Sequence, residues 1–478
     1  MIKALGLSFV ILFFYFEFAS AQQNSTLFFM QSTPQANFVN PAIRNDCRWL
    51  IGLPVLSSVH VNYGNSVFTF HDALKLNNNN YYNFDGDALS SKLGKTNFIT
   101  SELHLNLFFL GFWIKKNYIT FSINEKADLF ATYSRDLFNL AWKGNSQFEG
   151  QTAELGKTGV FLNYRREYAV GISRKPNPDF TWGIRGKLLF GKLNTTMTGG
   201  KANLYTNPQT FALSGYADWG MKTSLPIQVY QNSDSSVNSV SYNGNTKNII
   251  MNRSNLGLAV DLGFIQNLDE NITLSGSILD LGFIRWTSTP NTFYQSGNYT
   301  YNGIVSDTVN QKNYINDLIQ SVQNEFTVNT KSSSYISPLS PMIYFGATYK
   351  LKDDLNAGLL LSGKINRYRI TSGMTLSLNK AFSPGLSGSL SYSYIYRDFK
   401  NIGLGIKAGK SPVQFYAVTD NVLGLIKPLD TKNINLRFGL QFNFGCTSKE
   451  NTKGCGCGWM REAAQKEARY KKLLKKGS

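Results

Sequence analysis

The chain has 478 residues and is rich in aromatic and small residues, with 34 Phe, 25 Tyr and 41 Gly but only 13 Pro. This composition is typical of an all-β protein made of one large unit. The formal net charge is +18, but no basic and aromatic residues form a strand-binding module, which argues against nucleic acid as a partner.

The first 21 residues have the three parts of a secretory signal peptide. Lys3 precedes the apolar run ALGLSFVILFFYF, and Ala19-Ser20-Ala21 supplies a small-residue cleavage site. We therefore predict a signal peptide over residues 1–21 and a mature chain that begins at Gln22. Beyond residue 21 no apolar stretch approaches the roughly 18 to 20 residues of a spanning helix, so a soluble secreted protein and a β-barrel remain as alternatives.

Segments that alternate between apolar and polar residues recur along the chain and indicate strands. In INLRFGLQFNF, residues 434–444, every second side chain is Ile, Leu or Phe, and the others are polar or Gly. Successive side chains of a strand point to opposite faces, so this strand separates an apolar surface from a wet one. The pattern predicts fourteen strands: 51–63, 100–114, 118–132, 157–174, 180–197, 254–265, 272–286, 336–350, 355–367, 372–381, 386–397, 401–409, 412–420 and 433–444.

The predicted connections between these strands sort by length. Every second connection is short, such as 115–117 and 352–354, and the long ones, such as 198–253 and 287–335, fall between them. Long and short connections then lie at opposite ends of the strands, as in outer-membrane barrels, and a β-sandwich has no reason to sort its loops in this way. We predict a 14-stranded up-and-down transmembrane β-barrel over residues 51–445.

Several segments depart from the simple strand pattern. Residues 22–50 precede the first strand and are predicted to be a plug-like segment that fills the lumen. The run DLIQSVQNEF, 317–326, favours a helix within an outer loop. A phase slip near Leu279 predicts a β-bulge, and Tyr392 and Tyr396 are candidates for an aromatic girdle at the membrane interface.

The segment after the last strand, residues 446–478, is strongly basic. It has nine Lys or Arg against three Glu, and Glu462 and Lys466 have the i, i+4 order that supports a helix. We expect a short carboxy-terminal helix in the periplasm, where it could contact anionic headgroups, the cell wall or a protein partner. A solvated helix that aids solubility is the alternative.

Charged residues on the polar faces of the strands are candidates for contact with a solute in the lumen. They are Arg165, Glu167, Arg185, Lys187, Asp261, Lys364 and Arg437. The alternative is that these charges pair with one another or with the plug. No GxSxG, HExxH or Walker sequence occurs, and His104 is interpreted as a lumen or interfacial residue, so no catalytic residue is assigned and no enzyme is predicted.

The four cysteines are Cys47, Cys446, Cys455 and Cys457. In an exported protein they permit three full disulfide pairings. Cys47 before the first strand and Cys446 after the last are expected to lie near one another across the seam where the barrel closes. The three histidines have no spacing that completes a zinc site, so no metal and no cofactor are predicted.

Four strings resemble an uncharacterised outer-membrane barrel family of Bacteroidota. They are STPQANFVNPAIR (32–44), LGFWIKKNYITFSINEKADL (110–129), GSILDLGFIRW (276–286) and AVTDNVLGLIKP (417–428). That family is distantly similar to the fatty-acid transporter FadL and to PorV of the type IX secretion system. Asn40, Pro41 and Ala42 match the NPA of the amino-terminal plug in the FadL group.

The resemblance implies an outer-membrane location and leaves two functions open. The first is FadL-like passage of a small hydrophobic solute. The second is a non-transporting scaffold or adaptor for type IX secretion or outer-membrane assembly, similar in role to PorV, whose loops and basic tail bind protein partners. No peptidoglycan-binding domain of the OmpA type follows the barrel, and Phe444, which would carry the carboxy-terminal assembly signal, is not the last residue.

Overall fold

In the computed structural model, the described residues are 24–77, 81–233, 236–301, 328–366, 369–383, 385–396 and 398–446. Most of them form antiparallel strands that close into a fourteen-stranded barrel, which confirms the predicted fold class. The predicted signal peptide, the predicted helix at 317–326 and residues 447–478 of the basic tail lie outside the described residues.

The barrel strands are numbered β1 to β14 in chain order, and two of them are interrupted. Their bounds are β1 (Trp49–Gly52 and Ser58–Asn65), β2 (Thr96–Ile114), β3 (Asn117–Ser134), β4 (Gly159–Arg174), β5 (Phe180–Thr206), β6 (Asn255–Asn267), β7 (Ile272–Trp286), β8 (Tyr335–Pro338 and Met342–Lys352), β9 (Leu355–Asn366), β10 (Arg369–Ser383), β11 (Leu386–Ile395), β12 (Asp398–Ala408), β13 (Val413–Thr419) and β14 (Asn433–Phe444).

The first and last strands pair with each other and close the ring. Trp49 lies opposite Phe444, and Val59 lies opposite Phe438, so both segments of β1 join β14. The same two segments pair with β2 on their other side. Closure leaves no edge strand, which is the condition for a sheet in lipid because hydrocarbon cannot satisfy a free backbone donor or acceptor.

The two faces of the sheet differ in polarity as the alternation predicts. On β6, Leu256 and Leu258 are 52% and 59% exposed on the outer face, whereas Asp261 is fully buried on the inner face. On β14, Arg437 and Gln441 are likewise buried on the inside. An apolar outer surface around a polar interior, in a closed antiparallel sheet, is the fold of an outer-membrane β-barrel. Among the described residues, no helix is long and apolar enough to cross a membrane.

The sorting of connections by length is confirmed. Short connections such as 115–116, 268–271 and 353–354 lie at one end, and the long connections 207–254 and 287–334 lie at the other. Outside the barrel the described strands are Leu74–Leu76, Tyr82–Phe84, Thr152–Glu154, Leu213–Ser224, Ile227–Gln231, Val237–Tyr242, Pro290–Tyr301 and Asn329–Lys331. The described helical segments outside the barrel are Phe70–Ala73, Gly86–Lys92, Arg135–Lys143, Ser146–Phe148, Thr246–Met251, Val422–Ile426 and Pro428–Asp430.

Strand β5 continues beyond the predicted end at residue 197 to Thr206. Its extension pairs with Leu213–Ser224, which in turn pairs with Pro290–Tyr301. Three long antiparallel strands therefore continue the sheet past the barrel at the end with the long loops. The extension and both of these strands lie in the segments 198–253 and 287–335, which the alternation pattern predicts as long connections.

Two other predictions need correction. The strand predicted over 336–350 is interrupted at 339–341. Pro338 is the last residue before the break and Pro341 lies within it, and proline cannot donate to a strand ladder. Tyr396 is not part of an outer girdle. It has φ +56°, is fully buried and packs against Phe98 inside the barrel.

The predicted bulge near Leu279 is confirmed. Val260 lies opposite Leu281, and Leu262 lies opposite Ile278. Two residues of β7, Leu279 and Asp280, therefore lie opposite the single residue Asp261 of β6. Asp280 has φ +58°, a conformation that Asp tolerates better than most residues. The bulge turns the Asp280 side chain away from the simple alternation of β7.

Residues 24–48, here called the inner segment, lie inside the barrel. The helix α1 (Ser25–Phe29) and the 3₁₀ turn Pro34–Phe38 place Phe28 and Met30 in an apolar cluster with Tyr344 and Leu360 of the wall. Polar groups of the wall satisfy its backbone, as where Ser277 Oγ donates to Val39 O at 2.5 Å. The segment therefore occupies part of the lumen and shares an apolar cluster with the wall.

Candidate functional site

The lumen contains a set of buried charges. The seven candidates Arg165, Glu167, Arg185, Lys187, Asp261, Lys364 and Arg437 all occupy inner positions of the strands, where Lys364 is partly buried and the others are buried. A buried charge is costly unless it is paired and hydrogen-bonded. Their partners therefore decide what this interior can bind.

Five of the candidates pair with one another along β4, β5 and β6. Arg165 Nε donates to Glu167 Oε1 at 2.8 Å, and Lys187 Nζ lies 2.7 Å from Asp261 Oδ1. Arg185 Nε lies 3.6 Å from Asp261 Oδ2. This part of the lumen is thus occupied by mutual ion pairs.

Four further charged residues complete the network, namely Glu102, Lys126, Asp128 and Asp280. Lys364 Nζ donates to Glu102 Oε1 at 2.5 Å. Their strands, β9 and β2, are seven positions apart in a ring of fourteen, so this contact joins opposite walls. Lys187 Nζ donates to Asp280 Oδ1 at 2.5 Å and links β5 to β7. We call the seven candidates and these four residues, eleven in all, the ion-pair layer; Arg437 belongs to it by position, and its described hydrogen bonds go to Asn24 and Ser58.

These four residues were not among the predicted candidates, although the sequence pattern indicates some of them. Lys126 and Asp128 alternate with Ser122 and Asn124 in a predicted strand, so their phase places them on the polar face. Asp280 could not have been found in this way. The bulge puts it out of phase with β7, and only the three-dimensional structure brings it to Lys187.

The ion-pair layer is tied to the inner segment. Arg437 Nε donates to Asn24 Oδ1 at 2.8 Å, and Arg185 donates to the carbonyl of Asn37. The carboxylate of Asp420 also accepts hydrogen bonds from the backbone N–H groups of Asn24 and Thr26, at 2.6 and 2.8 Å. Charges of the wall therefore hold the position of the segment that fills the lumen.

The predicted plug residues Asn40, Pro41 and Ala42 lie against β4, β5 and β6. Asn40 Nδ2 donates to the carbonyl of Phe264 at 3.1 Å, and Ser173 Oγ donates to that of Ala42 at 3.0 Å. Two wall glycines, Gly183 and Gly263, make this approach close enough. A Cβ on Gly183 would lie 2.2 Å from Pro41 O, and one on Gly263 would lie 2.2 Å from Asn40 Oδ1.

Cys47 and Cys446 form a disulfide whose Cα atoms are 4.0 Å apart. Cys47 lies near the end of the inner segment, and Cys446 lies two residues after β14. The disulfide therefore joins the inner segment to the end of the last strand. Nearby, Arg48 N donates to the carbonyl of Gly445. The inner segment is thereby anchored covalently at the seam of the barrel.

Between the ion-pair layer and the inner segment lies a cavity of about 90 Å³. This volume is several times the roughly 10 to 15 Å³ that a cavity needs to hold one water, so it has room for a few water molecules. Its lining combines charged groups such as Glu102 and Arg165 with the apolar side chains of Val39, Leu279 and Met342. A cavity with one polar and one apolar side can accommodate an amphipathic group.

The apolar side of the cavity adjoins an interruption in the barrel wall. Strands β7 and β8 pair at Leu279 with Met342 and again at Phe283 with Pro338. Between these pairs the described residues 339–341 belong to no strand, and the backbone bond that joins the two sides is Leu339 N to Gly282 O at 2.9 Å. Leu279, Leu339 and Met342 line both the interruption and the cavity.

The strand register also brings two histidines together on the inner face. His60 on β1 lies directly opposite His104 on β2, and their ring centroids are 5.4 Å apart. With Glu102 they form a group of metal-ligating type among the described residues. Sequence spacing gave no reason to group them, because 44 positions separate the two histidines and only the pairing of β1 with β2 makes them neighbours.

Comparison with known proteins places the chain in a family without an assigned function. Residues 41–420 match a family described as being of unknown function, DUF5723. No curated protein sequence matches the chain.

Similar solved structures include a FadL homologue of Pseudomonas aeruginosa, with 12% identity, a TM-score of 0.40 and coverage of 90% of this chain and 97% of that one. The toluene transporter TodX of Pseudomonas putida gives 8% identity, a TM-score of 0.38 and coverage of 87% and 96%. The toluene transporter TbuX of Ralstonia pickettii gives 10%, 0.32 and coverage of 86% and 94%.

Proposed function

Because the chain belongs to DUF5723, a family of unknown function, its role has to be inferred from its own geometry, and we propose that it passes a small hydrophobic solute laterally through the outer membrane. The observation that carries this proposal is the interruption between β7 and β8 beside the cavity. A solute that leaves the lumen there enters the hydrocarbon region without crossing a layer of water.

The direct axial route is occupied. The inner segment and the ion-pair layer fill the lumen, and Lys364 and Glu102 join opposite walls. In contrast, the apolar side chains of Leu279, Leu339 and Met342 lead from the cavity to the interruption. An apolar solute is favoured on this route because it keeps its surface out of water along the way.

We propose that residues 22–50 act as a plug whose displacement opens the cavity toward the periplasm. The disulfide at Cys47 fixes one end of the described segment, and the contacts of Asn24 and Thr26 with Asp420 fix the other. A segment held at both ends can move in its middle without leaving the barrel. Six of the seven lumen charges, all except Asp261, line the cavity and would form the polar side of the route.

A cysteine lock across the interruption tests the lateral route. Leu281→Cys and Ser340→Cys lie on the two sides of the gap, at positions that would be opposite each other if the flanking register ran through it. Leu274→Cys with Ala347→Cys is a matched pair on the continuous part of the same strands. Both pairs are made with Cys455→Ser and Cys457→Ser to remove competing thiols. Uptake of radiolabelled decanoate and toluene is measured before and after oxidation in cells that carry each variant in the outer membrane, with cells that lack the protein as the background.

We expect oxidation of the gap pair to lower uptake at least tenfold and reduction to restore it, whereas the matched pair leaves uptake unchanged. Equal uptake with the gap locked and unlocked would show that the lateral route is wrong. If the unmodified protein took up neither decanoate nor toluene, the proposal of transport itself would be wrong.

A second candidate function is a scaffold or adaptor for secretion or outer-membrane assembly, and a different observation favours it. The sheet continues past the barrel through β5, Leu213–Ser224 and Pro290–Tyr301, which forms a broad platform at the end with the long loops. The basic tail, which we propose lies in the periplasm, would supply a second contact. Removal of residues 447–478, followed by a mild-detergent pull-down with mass spectrometry, tests whether a stoichiometric partner is lost while the barrel stays folded.

A further inference from the structure

The pair of histidines at the seam has the geometry of a metal site, independently of any transport role. One ring nitrogen from each of His60 and His104 and one carboxylate oxygen of Glu102 all lie within 4.8 Å of one another. His60 and Glu102 are 2% and 5% exposed, so the group is inside the barrel. Two imidazoles and one carboxylate form a donor set that Zn²⁺ accepts.

The groups around these three residues already hold them in the orientation that a metal requires. Asp128 Oδ1 lies 2.9 Å from His104 Nε2. If Nε2 carries the proton, the other ring nitrogen keeps its lone pair, which is the carboxylate–histidine arrangement found behind metal-bound imidazoles. Asp128 therefore acts as a positioning residue for His104.

Glu102 is oriented in a similar way by Lys364. The ammonium group of Lys364 occupies Oε1 at 2.5 Å, whereas Oε2 is the oxygen that lies 3.9 Å from His60 Nε2. One carboxylate oxygen thus neutralises a wall charge, and the second faces the histidines. The carboxylate can bind a cation through Oε2 without giving up its partner.

The adjoining cavity supplies the remaining coordination position. Glu102 and His104 both line it, and it has room for water. Three protein ligands with an open fourth position are the arrangement of an accessible zinc site. Zn–ligand bonds are about 2.0 to 2.2 Å long, and the three side chains can turn toward a common centre because they share one face of two paired strands.

We propose that His60, Glu102 and His104 bind one Zn²⁺ ion with a water molecule in the fourth position. The ion joins β1 to β2, beside the seam where β1 meets β14. Its ligands come from two adjacent strands, so it braces the wall at the place where the first strand is interrupted.

The test uses the full chain in detergent, stripped with EDTA and then equilibrated with ZnCl₂. The parent for all variants carries Cys455→Ser and Cys457→Ser, because these thiols could bind zinc elsewhere. Bound zinc is counted by mass spectrometry of the eluted metal, and affinity is measured by calorimetry. Substitution with Co²⁺ gives a visible spectrum that reports nitrogen and oxygen ligands in a tetrahedral site.

We expect one zinc ion for each parent molecule and at least a tenfold weaker affinity in His60→Ala and His104→Ala. His71→Ala is the matched control, since His71 is the third histidine of the chain and lies outside the barrel, in the helical segment Phe70–Ala73 beside Asp430. Glu102→Gln keeps the shape of the side chain, and we expect it to weaken binding and change the Co²⁺ spectrum. Heat-modified mobility in gels checks that each variant remains a folded barrel.

Failure of the parent to bind zinc would overturn the proposal. The proposal would also be wrong if His71→Ala weakened zinc binding as much as the site variants, or if His60→Ala and His104→Ala bound zinc as tightly as the parent. Zinc that is lost when Cys455 and Cys457 are replaced would place the metal in the tail instead.

Discussion

The contact between the inner segment and the wall can be tested by adding one methyl group. In Gly183→Ala, the new Cβ would lie 2.2 Å from Pro41 O, whereas ordinary contact begins at 3.4 Å. The inner segment must therefore shift by about 1.2 Å. Such a shift weakens the hydrogen bonds that Ser173 makes to Ala42 and that Asn40 makes to Phe264.

The magnitude follows from these contacts. Two hydrogen bonds contribute about 1 kcal/mol each, and overpacking of a close contact costs roughly 1 to 3 kcal/mol. Because the segment can relax by moving, we expect a total loss of about 2 to 3 kcal/mol in its docking free energy. This corresponds to a fall of about 30- to 160-fold in the protection of its amides.

Hydrogen exchange with mass spectrometry measures this protection in peptides that span residues 36–44. The matched control is Gly186→Ala on the same strand, where an added Cβ meets nothing within 4 Å and Gly186 faces outward. The barrel strands should retain their protection in both variants. Wild-type protection of the inner segment in Gly183→Ala would refute the close seating of Pro41 on β5.

Three more substitutions have defined outcomes. Asp420→Asn leaves the N–H of Thr26 with a weaker acceptor, so we expect faster exchange at the start of the inner segment by about tenfold, or 1.4 kcal/mol, and unchanged exchange elsewhere. Lys187→Met removes the ammonium group 2.7 Å from Asp261 Oδ1 and leaves Arg185, at 3.6 Å, as the remaining ion partner of Asp261 among the described residues. We expect it to lower the free energy of unfolding in urea by about 3 to 5 kcal/mol, and adding Asp261→Asn should recover part of that loss. Cys47→Ser should destabilise the barrel by about 2 to 5 kcal/mol, seen as a lower temperature of heat-modified mobility, and should leave the gel position of the folded form unchanged.

The fold could be predicted because a lipid-facing barrel imposes a rule on every strand. Each side chain of a strand faces either the lipid or the lumen, so the alternation in a run such as 434–444 shows which residues face each side. The rule placed Arg185, Lys187 and Asp261 on the inner face without any knowledge of their partners. It could not predict the breaks at 339–341 and in β1, where local backbone chemistry overrides the alternation.

The contacts within the lumen could not be read from the sequence. Lys364 and Glu102 are 262 positions apart and meet only because β9 and β2 occupy opposite sides of the ring. His60 and His104 meet through the pairing of β1 with β2. The alternation of a strand shows which face each residue occupies. Its partner across the lumen depends also on the number of strands, on their register and on the segment that lies inside the barrel.

The energies of the two possible openings favour the lateral one. An axial path would separate buried pairs such as Lys364 with Glu102 and Lys187 with Asp280, and breaking a buried pair by removing one partner costs about 3 to 5 kcal/mol. Widening the interruption between β7 and β8 requires the loss of the bond from Leu339 to Gly282, which contributes about 0.5 to 1.5 kcal/mol. Of these two, the lateral opening that we propose breaks the weaker contact and leaves the ion pairs of the lumen in place.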